Sequence, residues 1–241
     1  MDCYYVTGTS RGIGKAIAEA ILADGSSKVV GISRTKGGEH PRYSHRTLDL
    51  LDLDEVQAFG FNEHEGAERV ILVNNAALLR VAQVGNIQAS DLIAIFQADA
   101  LAPLLLMNAF VATCHRENIR EAVVCNLTSR AGSTAIPGGA AYGASKAALE
   151  MFTRVASREA ELASTSSLRF LIANPGETDT DMQSYLADSA SDDFPNVEMV
   201  RKRKADGQLM TPTLVAQQLV RVLKNPDLAP EMRFDVQQLL A

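Results

Sequence analysis

The chain has 241 residues, 46% of them hydrophobic and 22% charged, with a formal net charge of −6. That length can bury a sizeable core in one domain, and the negative balance gives no electrostatic attraction to nucleic acid or an anionic membrane. Three widely spaced cysteines, Cys3, Cys114 and Cys125, form no disulfide framework, and His40, His45, His64 and His115 lack metal-ligand spacing, so no metal is expected.

In chain order, the apolar run Cys3–Val6 leads into Thr7-Gly8-Thr9-Ser10-Arg11-Gly12-Ile13-Gly14 and then the helical stretch from Ala16 to Leu22. This reads as strand, glycine loop, helix, the arrangement that brings backbone N–H groups and a positive dipole end to a pyrophosphate. A second strand at Lys28–Ile32 ends in Ser33-Arg34, and a weaker one near Ser44–Leu48 runs into Asp49-Leu50. Val70–Val73 precedes Asn74-Asn75-Ala76-Ala77, and a helix near Asp91–Cys114 carries Asp99. Ala122–Leu127 leads to Ser129, and a long helix spans Tyr142–Leu162. Leu168–Ala173 precedes Asn174-Pro175-Gly176-Glu177-Thr178-Asp179-Thr180, after which 177–210 is the least regular stretch. A helix at Pro212–Leu223 and a last weak strand near Met232–Val236 follow.

Strands alternating with helices predict an α/β fold, with 1–241 as a single doubly wound domain whose central parallel sheet of about seven strands carries helices on both faces. No basic stretch precedes the first strand, and no apolar run approaches the ~20 residues that cross a bilayer. A cytoplasmic location without membrane attachment is expected. The basic run Arg201-Lys202-Arg203-Lys204 sits among acids and reads as a solvated helix face, not a nucleic-acid patch.

Tyr142 has a lysine four residues on, Lys146, and Ser129 thirteen residues before it. Four residues on a helix share a face, so Lys146 can approach the phenol, and a cation there lowers a pKa that starts near ~10. A hydroxyl, a phenol and an ammonium so arranged can protonate a carbonyl oxygen while a hydride reaches its carbon.

Loop, serine, tyrosine and lysine together resemble the short-chain dehydrogenase/reductase family, matched by five motifs in the family's order from Thr7 to Thr180. The resemblance implies a Rossmann fold that binds a nicotinamide dinucleotide and reduces a small-molecule carbonyl. Ser129 would donate to the carbonyl oxygen, Tyr142 deliver the proton, and Lys146 lower the phenol's pKa and hold the nicotinamide ribose. Gly8, Thr9, Ser10, Arg11, Gly12, Ile13 and Gly14 would cradle the pyrophosphate, with Asn75, Ala76 and Ala77 beside it. Asp49 and Leu50 would meet the adenine, and Pro175, Gly176, Thr178 and Thr180 the carboxamide and pyrophosphate. NAD-binding members usually have an acid at the end of the second strand. This chain has Ser33-Arg34 instead, and Arg34 with Arg11 suits the 2′-phosphate of NADP(H).

Two residues depart from the family pattern: Ala77 replaces a glycine, and Asp99 replaces the helix asparagine that holds a water linked to the lysine. The segment after Thr180 looks similar to the sepiapterin reductase and benzil reductase branch. Met182, Tyr185, Phe194 and Met199 then line an apolar substrate site under a lid at 177–210, and Asp235 falls near a pterin-anchoring carboxylate. Reduction of an aromatic diketone ranks above sepiapterin reduction; an NAD-dependent alcohol dehydrogenase and a non-catalytic nucleotide sensor are the rival functions. The resemblance further implies a homodimer or homotetramer built through the helices at Asp91–Cys114 and Tyr142–Leu162.

Overall fold

The apolar runs pair side by side as β1 (Asp2–Thr7), β2 (Lys28–Ser33), β3 (Tyr43–Thr47), β4 (Arg69–Asn74), β5 (Glu121–Leu127), β6 (Leu168–Asn174) and β7 (Arg233–Asp235). This is a computed structural model describing residues 1–163 and 168–240. Every pairing is parallel, in the order β3-β2-β1-β4-β5-β6-β7. Chain order reverses between β1 and β4, and in an open α/β sheet ligands bind beyond the strand carboxyl ends at such a switch point.

The α-helices among the described residues are α1 (Gly12–Leu22), α2 (Leu53–Gln57), α3 (Ala89–Phe96), α4 (Ala102–Arg116), α5 (Ala140–Leu162), α6 (Asp181–Asp188), α7 (Val197–Ala205) and α8 (Pro212–Lys224). They explain why the central strands read as unbroken apolar runs. Side chains alternate across a sheet, and here both faces are covered. Tyr4 and Val6 pack with Ile17 and Ile21 of α1 and Leu219 of α8, while Cys3 and Tyr5 pack on the other face with Leu106 and Phe110 of α4.

Three expectations need correction. First, the helix expected at Asp91–Cys114 is continuous over 28 residues from Ala89 to Arg116, and an 18-residue stretch of it has a mean hydropathy of 1.6, so one helix among the described residues is long and apolar enough to cross a bilayer. Asp99 and Pro103 interrupt the apolar run in sequence but not the helix, which accommodates Pro103 through a π-helical turn at Gln97–Leu101. Its Leu106, Met107 and Phe110 are buried in the core. Second, 177–210 is not irregular: it holds α6 and α7, and Thr178 bridges Met210 at its two ends. Both helices are short, and α7, carrying Arg201 to Lys204, has too weak an apolar stripe to read. Third, α2 was not anticipated. Its five residues start from Asp52, whose carboxylate accepts the Glu55 N–H at 3.0 Å.

Leu92 and Ile93 of α3, Leu101, and Met151, Phe152 and Val155 of α5 are exposed.

Candidate active site

Site residues gather at the carboxyl ends of the strands. The end of β1 is stitched to β4: Thr7 Oγ1 accepts the N–H groups of Asn75 (2.9 Å) and Ala76 (3.0 Å), and Asn75 Nδ2 donates to the Thr7 carbonyl at 2.8 Å. Gly8 follows with φ +77, and a methyl on Gly14 would stand 2.3 Å from the Gly8 carbonyl oxygen. Only glycine lets α1 start this close to the loop. Arg11, at the α1 N-cap, makes no side-chain cap bond, and the first turn holds no acidic residue. Its N–H groups and dipole therefore suit an anionic partner, and Gly8 to Gly14 fit the pyrophosphate of a dinucleotide.

Around this cradle, Thr9 is buried with Oγ1 2.9 Å from the Tyr43 hydroxyl and 3.5 Å from Ser33 Oγ. Ser10 is half-buried, and Ile13 packs against the core. Arg34 is exposed at the end of β2. Arg11 is also exposed, and its guanidinium pairs with Asp181 at 3.1 Å. Asp49 and Leu50 are half-buried beyond β3, where Asp49 Oδ1 accepts the Leu51 N–H at 3.1 Å. Ala77 is exposed.

Ser129 follows β5 in extended conformation and caps a short 3₁₀ turn at Arg130–Gly132, its Oγ accepting the Ala131 N–H at 3.2 Å. The α5 helix presses against that turn: a methyl on Gly143 would lie 2.7 Å from the Ala131 carbonyl oxygen. This close approach sets Tyr142 beside Ser129. Burial raises the phenol's pKa and the Asp99 charge adds to it, while the adjacent Ser129 hydroxyl opposes the rise. Lys146, although it lies over the phenol ring, does not offset that rise. Lys146 Nζ donates to the Leu127 carbonyl at 3.2 Å, lies 3.9 Å from Asp99 Oδ2, and stays 5.6 Å from the Tyr142 ring centre. Burial lowers the lysine's own pKa, and Asp99 resists that shift.

Asp99 sits in a π-helical turn, Gln97–Leu101, between α3 and α4. Pro103 has no N–H to return to the Asp99 carbonyl four residues earlier, which gives the bulge its cause. The carboxylate is fully buried; Oδ1 accepts the Leu78 N–H at 2.6 Å, and Oδ2 has no hydrogen-bond partner among the described residues. Desolvation pushes its pKa up to about 6, against the pull of Lys146 and the Leu78 N–H.

The 175–180 loop closes over the cradle. Thr178 is buried with Oγ1 donating to the Gly176 carbonyl at 3.3 Å, Pro175 and Gly176 are half-buried, and Thr180 Oγ1 donates to the Thr178 carbonyl at 3.2 Å. Of the anticipated substrate residues, Met182 is half-buried and Met199 exposed. The Tyr185 hydroxyl accepts the Val81 N–H at 3.3 Å, tying α6 to the 77–82 loop. Phe194 is buried with Val197 and Val200 and packs on Val81 and Ile136, so it anchors the 177–210 segment and does not present a free face. The Asp235 carboxylate accepts Asn174 Nδ2 at 2.7 Å and Arg233 at 3.4 Å, turned to its own strand neighbours.

Sequence reading passed over three residues. Glu150, four residues past Lys146 on the same helix, is buried and accepts Thr128 Oγ1 at 2.6 Å. Glu177 pairs with Arg130, next to Ser129, and with Arg203 of α7. His45 has both ring nitrogens buried, and burial lowers its pKa. Only Glu150 carried a signal, its helical spacing from Lys146.

Comparison with known proteins agrees with this geometry. A family model described as short chain dehydrogenase matches residues 2–191. A benzil reductase ((S)-benzoin forming) of Bacillus subtilis is 31% identical over 231 residues, covering 93% of this chain and 94% of that protein. Its Bacillus cereus counterpart is 27% identical, covering 92% and 94%. Among solved structures, the aldohexose dehydrogenase of Thermoplasma acidophilum superposes with a TM-score of 0.77 at 22% identity, covering 100% of this chain and 94% of that one. A 2-deoxy-d-gluconate 3-dehydrogenase homologue from Agrobacterium tumefaciens with bound NADP gives 0.71 at 22%, covering 89% and 85%. The chain is an oxidoreductase belonging to the short-chain dehydrogenase family.

Proposed function

We propose that this enzyme is an NADPH-dependent carbonyl reductase acting on ketones and diketones, with an aromatic diketone as the preferred class. The observation that carries this reading is the juxtaposition of Ser129, Tyr142 and Lys146 around the end of β5, in a chain similar over nearly its whole length to benzil reductases. When bound, the dinucleotide supplies the hydride. Tyr142 holds its proton, because burial and Asp99 keep the phenol above its usual range, and a protonated phenol is the donor that reduction needs. Ser129 Oγ has its own proton to give to the substrate oxygen, since its bond to Ala131 uses it as acceptor. Lys146, fixed by Leu127 and facing Asp99, holds the ribose and maintains positive charge beneath the phenol.

Arg34 supports NADPH over NADH: it is exposed at the end of β2, where no acid stands. Asp235, engaged with Asn174 and Arg233, favours the diketone over a pterin. The 177–210 segment, held by Phe194 and Tyr185, serves as a lid, and the exposed apolar residues of α3 and α5 form the contact of a homodimer or homotetramer.

The test is NADPH oxidation with benzil, isatin, sepiapterin and quinones, using Tyr142→Phe as the blank. Benzil turnover by the native chain, reduced at least about 10²-fold in the blank with NADPH binding retained, is expected. Equal rates in both proteins would remove Tyr142 from the mechanism.

A further inference from the structure

We propose that Arg233, on the last strand, is a positioning residue linking the Ser129 turn to the Asn174–Gly176 turn, and that Asp235 serves this link instead of gripping substrate. On one side, Thr128 Oγ1 donates to Glu150 Oε1 at 2.6 Å, and Glu150 Oε2 faces Arg233 Nε at 3.5 Å. On the other, Arg233 reaches Asp235 Oδ1 at 3.4 Å; that oxygen accepts Asn174 Nδ2 at 2.7 Å, and Asn174 Oδ1 accepts the Gly176 N–H at 3.2 Å. The path is continuous from the residue before Ser129 to the loop over the cofactor cradle.

Strand geometry makes this possible. Arg233 and Asp235 are two residues apart and share a face of β7, while Phe234 between them is buried in the core. Asp235 stands opposite Asn174 in the parallel register. Glu150, whose side chain is 9% exposed, is costly to hold ionised without a cation. Its other neighbour, Arg154, is half-exposed and 3.8 Å away, so Arg233 is the better-placed partner. Removing Arg233 leaves two carboxylates facing each other's former cation, and the donors they orient, Thr128 and Asn174, lose their fixed acceptors.

The link rests on reading Ser129 and Gly176 as site elements, but part of its test does not need turnover. Hydrogen exchange is measured on the ligand-free full chain, NADPH affinity by fluorescence titration, and kcat and KM with benzil. Arg233→Met is expected to speed exchange in both the 128–132 and 174–178 segments, to weaken NADPH binding several-fold, and to lower kcat about tenfold, with most of each effect restored in Arg233→Lys. Glu150→Gln should lower kcat more than NADPH affinity, and Asp235→Ala the reverse. Exchange changes confined to β7, or a lowered melting temperature with native affinity and kcat, would overturn the link. If Arg233→Met does not fold, the opposite splits in the two acid variants decide the matter. If the native chain reduces no ketone, exchange and affinity still decide it, separately from the proposed activity.

Discussion

The Asp99 carboxylate stands 3.9 Å from the Lys146 ammonium, and neither side chain is more than 3% exposed. The aspartate is uneasy there, since burial raises its pKa from 3.8 to about 6. A carboxyl raised on folding stabilises the folded chain in its protonated form, so this contribution is full below pH 3.8 and is lost as pH rises through about 6. Asp99→Asn should therefore gain stability relative to the native chain between pH 4 and pH 7, by on the order of 2 kcal/mol. Denaturant midpoints at the two pH values measure this; a constant difference would mean that Asp99 does not titrate on folding.

The same pair governs the pH dependence of turnover. Because the phenol of Tyr142 is pushed above its ordinary 10.0, reductive kcat should show no loss from phenol ionisation below pH 10. An inflection near pH 6 should appear in the native profile and vanish in Asp99→Asn. Identical profiles for the two proteins would show that the aspartate's charge does not reach the reaction.

Arg34 offers its guanidinium at the end of β2, and charge-assisted bonds of this kind are worth about 1.5–3 kcal/mol. Arg34→Ala should lower the NADPH-to-NADH ratio of kcat/KM by about 10- to 100-fold, chiefly through the NADPH KM. Arg11→Ala should move that ratio far less, its guanidinium being paired with Asp181.

Phe194 anchors α7 against Val81 and Ile136, in a cluster separate from the two cores of the sheet. Phe194→Ala should speed hydrogen exchange across residues 181–205 and raise the benzil KM several-fold, leaving exchange in β1 and β4 unchanged. A uniform increase through the sheet would place Phe194 in the global core instead.

Met151, Phe152 and Val155 expose apolar area along one stretch of α5. If α5 forms the proposed oligomer contact, Phe152→Glu with Val155→Lys should give a monomer in analytical ultracentrifugation where the native protein sediments as an oligomer. A native protein that sediments as a monomer would refute the contact.

The sheet was legible because doubly covered strands must be apolar throughout, and β1, β2, β4, β5 and β6 were found within a residue or so of their ends. Gly8, Asn75, Ser129 and Pro175 were singled out by the motifs of the family resemblance, which follow those strands. Tyr142 and Lys146 were legible as a helical step, but the direction of the lysine was not, because it depends on Asp99 and the Leu127 carbonyl from distant stretches of chain. Helical spacing places the cation near the phenol ring but does not report burial, which raises the phenol's pKa. Helices α6 and α7 were missed because short helices draw their stability from what they pack on, here Val81 and Ile136. Asp235 was assigned by position along the chain, and only the register of β7 beside β6 reveals its partner, Asn174.

Arg11 and Asp181 are each more than 70% exposed, so their pairing adds little to stability. Its importance lies in timing, because the arginine belongs to the phosphate cradle and the aspartate begins the segment above it, where Thr180 touches the space over Gly12. If, as proposed, the cradle holds a dinucleotide and the segment above it acts as a lid, the dinucleotide would have to enter before the segment closes and leave after it opens. Kinetics should accordingly follow a compulsory sequence, with coenzyme first to arrive and last to depart.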